Sequence, residues 1–207
     1  MRTPEYYEFA GLLAPGSLVL VGILIIYPAL KDILMSEHLS FGGFGIFLIF
    51  AFIAGHITQA IGNLLERGWW KLQNGMPTNW IVTKDSERIL SKDQKVLLKK
   101  AIIKKLKIKI SDFKGIDRRT WGHITRQIFV YLNQANEPKR IIVFNGSYGL
   151  SRGLAVGFAF ITIYTAVYGA GVNIILLMAS CTLLSLYRMN LFAIHYAKEL
   201  FSSFLES

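Results

Sequence analysis

Two pairs of apolar stretches bracket one strongly basic segment. The first pair runs from about Gly11 to Leu65 and the second from about Leu150 to Tyr187. Between them, Leu65–Ser147 holds 18 of the 23 Lys and Arg residues against 7 Asp and Glu, so the rest of the chain is close to neutral. A bilayer core of about 30 Å is crossed by about 20 apolar residues in a helix. Basic segments between spans collect on the cytoplasmic side. A soluble domain of 207 residues would carry more than 17% charged residues and spread them more evenly. Concentrated charge between apolar pairs therefore points to membrane orientation before it points to nucleic acid.

Four spans follow. Segment one, Leu12–Leu30, is uncharged, with Pro15 placed for a first helical turn and Pro28 for a stop. Segment two, Phe41–Leu65, is long enough to cross and project beyond the bilayer. Segment three, Leu150–Tyr168, carries only Arg152 near its start; segment four, Val172–Tyr187, is short and crosses if Arg188 snorkels. Lys31–Ser40 and Gly169–Gly171 are short connections, so each pair is a helical hairpin. The expected fold is membrane α-helical: two transmembrane hairpins (1–65 and 148–187) flanking a small, mainly helical cytoplasmic domain (66–147). An amphipathic C-terminal helix (188–207) follows. Both termini and the basic domain are expected on the cytoplasmic side. Met1–Ala10, with Glu5 and Glu8 beside Arg2, does not read as a secretory signal.

Within the basic segment, Trp69, Trp70 and Lys71 have the composition of an interfacial anchor. Asn74–Gly75 and Pro77 mark a turn, and Asn79–Thr83 suits a short strand. Ser91 and Gln94 form a capping-box pattern that opens a helix to about Lys105. Along it Val96, Leu97, Ala101, Ile102 and Leu106 share an apolar face. Leu106–Ile110 alternates apolar and basic residues, consistent with a strand or a continued helix. A second helix runs from Asp117 to about Asn133, with Ile124, Ile128, Val130, Tyr131 and Leu132 as its core positions; Lys139–Phe144 is a strand or a lead-in to segment three. A domain of this size leans on the membrane, its own spans or a neighbouring subunit.

Two sets of polar residues are candidate sites. His56, Gln59, Asn63 and Glu66 recur at helical spacing on segment two, bordered by Gly55 and Gly62. Polar groups are costly in lipid, so this face meets protein or water. It lines a pathway or proton-sensitive gate, or it supplies interhelical hydrogen bonds. Arg152 and Glu66 both fall at the cytoplasmic boundary and are placed to pair. Gly153 and Gly157 give the small-xxx-small spacing of closely packed helices. The second set is the basic surface: Lys99, Lys100, Lys104, Lys105, Arg118, Arg119 and Arg126. It suits anionic lipid headgroups, a nucleic acid or nucleotide signal, or solvated charge required by topology; no Gly-rich phosphate loop or RNA-binding signature favours the second.

No catalytic motif, metal-ligand spacing or cofactor signature is present. His38, His56, His123 and His195 are scattered, and the lone Cys181 reads as a small buried thiol. An enzyme is not expected. The amphipathic tail, with Leu191, Ile194, Ala197, Leu200, Phe201 and Phe204 at helical spacing, lies on the bilayer, docks on the small domain or makes an oligomer contact.

The two-hairpin plan, YYEFAGLLAPG at 6–16, GHITQAIGN at 55–63 and FNGSYGLSR at 144–152 resemble small four-span membrane proteins of bacterial anti-phage defence systems. The resemblance implies an oligomeric effector that permeabilises the inner membrane on receiving a signal or partner, or a sensor that holds a cytosolic defence protein. A small channel or transporter is the remaining alternative. Membrane lipids and further copies of the chain are the expected partners.

Overall fold

A computed structural model of the protein describes residues 9–27, 41–83, 86–135, 139–169 and 171–207. It is all-helical, with 87% of residues in helix and no strand among those described. The main helices are α1 (Ala14–Ile26), α2 (Phe41–Leu72), α3 (Lys92–Ala101), α4 (Arg118–Gln134), α5 (Lys139–Val167) and α6 (Val172–Glu206). The helices at Gly43–Val82, Arg140–Val167 and Val172–Glu206 are long and apolar enough to cross a membrane, and Gly11–Ile25 is a shorter apolar helix. The expected loop at Lys31–Ser40 and the N-terminal Met1–Glu8 lie outside the described residues.

The chain forms two compact units, one of residues 1–67 and 146–190 and the other of residues 68–145 and 191–207. In the first unit, α1 begins after a π-helical turn at Phe9–Leu13. It ends where Tyr27, the residue before Pro28, leaves the helical region at φ −117° and ψ 88°, because a following proline disfavours helix. Glycine permits backbone-to-backbone contact with α2. A Cβ on Gly16 would sit 1.8 Å from the Ala51 carbonyl oxygen, and one on Gly55 would sit 2.2 Å from that of Leu12. Leu20, Leu24 and Ala51 form the buried cluster there, with Leu13 and Phe47 against it. Gly153 and Gly157 of α5 instead make room for side chains of α1, those of Pro15 and Leu18.

The second unit has its own core. α2 ends in a Schellman-type closure: Asn74 adopts φ 59°, and the Gly75 amide donates to the Trp70 carbonyl at 2.8 Å. Asn79–Thr83 is not a strand; Pro77–Val82 forms a 3-10 turn that buries Trp80 and Ile81. Its Trp80 Nε1 donates to the Gly75 carbonyl at 2.9 Å. Ser91 and Gln94 form the expected reciprocal cap of α3, which passes into a π-helical turn at Ile102–Leu106. Lys107, at φ 61°, then stops the helix. Leu106–Ile110 is therefore neither strand nor continued helix.

Lys139–Phe144 is helical and opens α5. The expected break between segment four and the tail is absent, since α6 runs unbroken for 35 residues. Its C-terminal part joins the second unit, burying Leu200, Phe201 and Phe204 completely. Trp121 lies between Phe113 and Phe201, with ring centroids 5.6 and 5.9 Å away, and its Nε1 donates to the Thr78 carbonyl at 2.7 Å. Trp70 is also buried in this unit rather than standing as an exposed anchor. Ile124, Ile128 and Leu132 occupy the core as expected; Val130 is exposed, and Tyr131 is half-buried against Phe204. On α3 the buried residue is Leu98, whereas Val96 and Leu97 are exposed.

Candidate functional site

The polar cluster of the first unit is centred on Gln59, only 8% exposed. Its origin lies in α1. Pro15 has no N–H, so the Gly11 carbonyl loses the donor that an α-helix would supply four residues on. Gln59 Nε2 donates to that carbonyl and also to the Gly149 carbonyl of α5 at 3.1 Å. Gly153 leaves room for the amide, since a Cβ there would lie 3.1 Å from Gln59 Nε2 and 2.6 Å from Pro15 Cγ. The other end of the amide accepts: Arg152 donates to Gln59 Oε1 from Nε at 3.2 Å and from Nη2 at 2.6 Å. Arg152 Nη1 pairs with Glu66 Oε2. Gly62 accommodates the arginine stem, and the guanidinium lies 5.8 Å from the Tyr148 ring centroid.

The structure thus brings together Gln59, Glu66 and Arg152 and leaves out His56 and Asn63. On α2 the inward stripe is Ala51, Gly55, Gln59, Gly62 and Glu66. His56 and Asn63 fall one step round the helix and are exposed. His56 instead meets Phe52 edge to face, with centroids 4.6 Å apart. Ile57, Ile61 and Leu64 share the outward side of α2 and are also exposed. The sequence placed all four polar residues on one face because a helical stripe some 100° wide includes positions 60° apart; packing separates them. The Gly11 and Gly149 carbonyls were not foreseen. Pro15 was the available signal, because it leaves a carbonyl in need of a donor.

Chemically, the cluster is a closed set of hydrogen bonds. Gln59 uses both of its functional atoms and Arg152 uses all three nitrogens, on partners within the unit. A buried cation in an otherwise apolar setting is retained only when paired and hydrogen-bonded. No group of three or more His, Cys, Asp or Glu residues able to hold a metal occurs among the described residues. Cys181 is half-buried.

In the second unit the seven basic residues divide. Lys105 Nζ donates to the Phe204 carbonyl at 2.7 Å and to Ser207 Oγ at 3.1 Å, and lies 4.9 Å from the Phe204 ring centroid. It caps the C-terminal end of α6, where a cation complements the helix dipole. Lys99 donates to the Ser111 carbonyl, and Arg118 Nη2 to the Asn74 carbonyl at 3.1 Å. These three fasten loops and ends. Lys100, Lys104, Arg119 and Arg126 are exposed. Arg126 lines an open cavity of about 400 Å³ with His123, Gln127 and Tyr131. Asp117 accepts from the Arg119 and Thr120 amides and caps α4. Its bonds with Thr120 hold its carboxyl below the ordinary value of 3.8.

No family model matches the chain, and no curated protein or solved structure does so either.

Proposed function

We propose that the chain is a bacterial inner-membrane protein that crosses the bilayer four times and carries its basic unit on the cytoplasmic side. It works as a homo-oligomeric defence effector. At rest it is closed; when the basic unit receives a signal or partner, it permeabilises the membrane. The observation that carries this reading is the Arg152–Gln59–Glu66 cluster. It holds charged and polar groups between apolar helices in one self-satisfied arrangement, and its disruption would release several unpaired polar groups into a low-dielectric interior. A fully satisfied network rigidifies the packing around it, and packed interfaces switch between discrete arrangements rather than deform gradually. A pore needs several copies, because four spans with one modest polar stripe do not enclose a conduit alone. The exposed apolar side chains of α2 and α6, such as Ile57, Leu64 and Leu183, supply surface for lipid or for neighbouring copies.

A second reading is a non-conducting scaffold that recruits a cytosolic defence protein through the basic unit. The same cluster favours it in one respect: Gln59 and Arg152 are consumed by internal partners and line no channel. Proteoliposome ion flux separates the two. The effector reading expects tight vesicles with the wild-type chain and leak with Arg152→Gln. Tight vesicles with both proteins, each shown to be inserted and helical, would leave the scaffold. Topology is tested by labelling single cysteines at positions 100 and 206 in a Cys181→Ser background. Labelling from the outer side of the inner membrane would overturn the cytoplasmic placement.

A further inference from the structure

Within the first unit, α5 and α6 enclose a groove of about 240 Å³. Its lining is graded. One end is formed by Phe158 and Leu154 of α5 with Cys181 and Leu184 of α6; the other holds Ser151, Ser185 and Arg188 together with Leu150. The gradient follows from the antiparallel run of the two helices. Ser151 and Phe158 are seven residues apart, about 10 Å along α5, and Arg188 and Cys181 are seven apart on α6 in the opposite sense. Among the described residues no carboxylate lines the groove.

We propose that this groove binds one anionic phospholipid, with an acyl chain along Leu154, Phe158, Cys181 and Leu184 and the phosphate at Arg188. The inference rests on the membrane reading above. Three observations select this occupant. Both helices are long and apolar enough to cross a membrane, so lipid is the medium that meets the groove. An apolar end gives water no partners, and such cavities fill with apolar matter instead. A guanidinium matches phosphate oxygens in a two-pronged geometry, and basic pockets between membrane helices are recurrent headgroup sites. Ser151 and Ser185 place hydroxyls beside the same end as the arginine.

The test measures lipid co-purifying with the full chain from a mild detergent, by extraction and mass spectrometry. Arg188→Gln is expected to lower the retained anionic phospholipid about tenfold relative to zwitterionic lipid, the loss of one charge-assisted phosphate contact. Leu154→Trp fills the apolar end and is expected to exclude lipid of both kinds with the charge intact. Leu183→Trp, at a 68% exposed position that does not line the groove, retains the wild-type pattern. Wild-type lipid content in Arg188→Gln overturns the proposal even if Leu154→Trp fails to fold. So does finding that the groove is occupied by a second copy, seen as a cross-link between Cys181 residues with no retained lipid. Failure of the membrane reading is a separate result: the wild-type chain would appear in the soluble fraction before any lipid is measured.

Discussion

Arg152 directs two of its three nitrogens at one oxygen of Gln59, with Nε 3.2 Å and Nη2 2.6 Å from Oε1. The third nitrogen reaches Glu66. One amide oxygen thereby orients the guanidinium edge, and the carboxylate neutralises it. Removing one member of a buried charged pair costs about 3 kcal/mol or more, because the other member stays behind. Arg152→Met is therefore expected to lower the thermal midpoint of the detergent-solubilised protein sharply. Glu66→Gln, which keeps an acceptor, should cost less than Glu66→Leu. A double-mutant cycle between positions 66 and 152 should give a coupling of about 1 kcal/mol or more; additive effects would deny the pair any energetic role.

Gln59 and His56 are expected to separate cleanly. Gln59→Leu leaves the Gly11 and Gly149 carbonyls and Arg152 without their amide partner, each loss costing about 1–3 kcal/mol. His56 is exposed, so His56→Leu should stay within about 0.5 kcal/mol of wild type. Thermal unfolding of both variants, with ion flux measured in parallel, checks this. Loss of the Arg152→Gln leak when His56→Leu is added, in a protein that stays stable, would return His56 to a pathway.

Gly16→Ala places a methyl 1.8 Å from the Ala51 carbonyl oxygen, and backbone cannot yield as a side chain can. The expected cost is about 3 kcal/mol, at the upper end of overpacking effects. Gly43→Ala meets nothing within 4 Å and should be neutral or stabilising by up to about 1 kcal/mol through helix propensity. Equal midpoints for the two variants would refute the close approach of α1 and α2.

The C-terminal part of α6 completes a core rather than lying free. Phe201→Ala should cost about 3–5 kcal/mol, and truncation before Leu191 should leave Trp121 accessible. Tryptophan fluorescence of the truncated chain is expected to shift to the red; an unchanged spectrum would mean the tail is dispensable.

Asp117 gives one pH dependence with a definite sign. Its folded carboxyl titrates below 3.8 through its bonds with Thr120. The cap therefore contributes fully above that ordinary value and is lost as pH falls through the lowered one. Amide exchange at Arg119 and Thr120 in the full chain should accelerate across that acid range. Asp117→Asn, which still accepts, should abolish the acceleration.

Helical class and the ends of α3 and α4 could be read from local chemistry, whereas the meeting of Arg152 with Glu66, 86 positions apart, was legible only because both fall at the same end of apolar segments. Ser91, Gln94, Asp117 and the Asn74–Gly75 pair act within a few residues of themselves, so their effects are visible in sequence. What escaped reading depended on distant partners. Lys105 looks like surface charge until the end of α6 arrives beside it. Asn79–Thr83 has strand composition, but no partner strand exists among the described residues, and burial of Trp80 and Ile81 is met by a 3-10 turn. Leu98, not Leu97, faces inward because the core that α3 meets is set by the tertiary contacts of its neighbours.

Pro15 and Gln59 form a debt and its settlement across 44 positions of sequence. The proline withdraws a donor from the Gly11 carbonyl, and an unpaired carbonyl inside hydrocarbon costs several kcal/mol; the glutamine restores the bond from another helix. The two positions should therefore be inherited together. A lineage that lost the amide at 59 could keep a stable fold by replacing Pro15 with a residue that donates to its own helix. The glycine at 153, which makes room for both, would then be free to change as well.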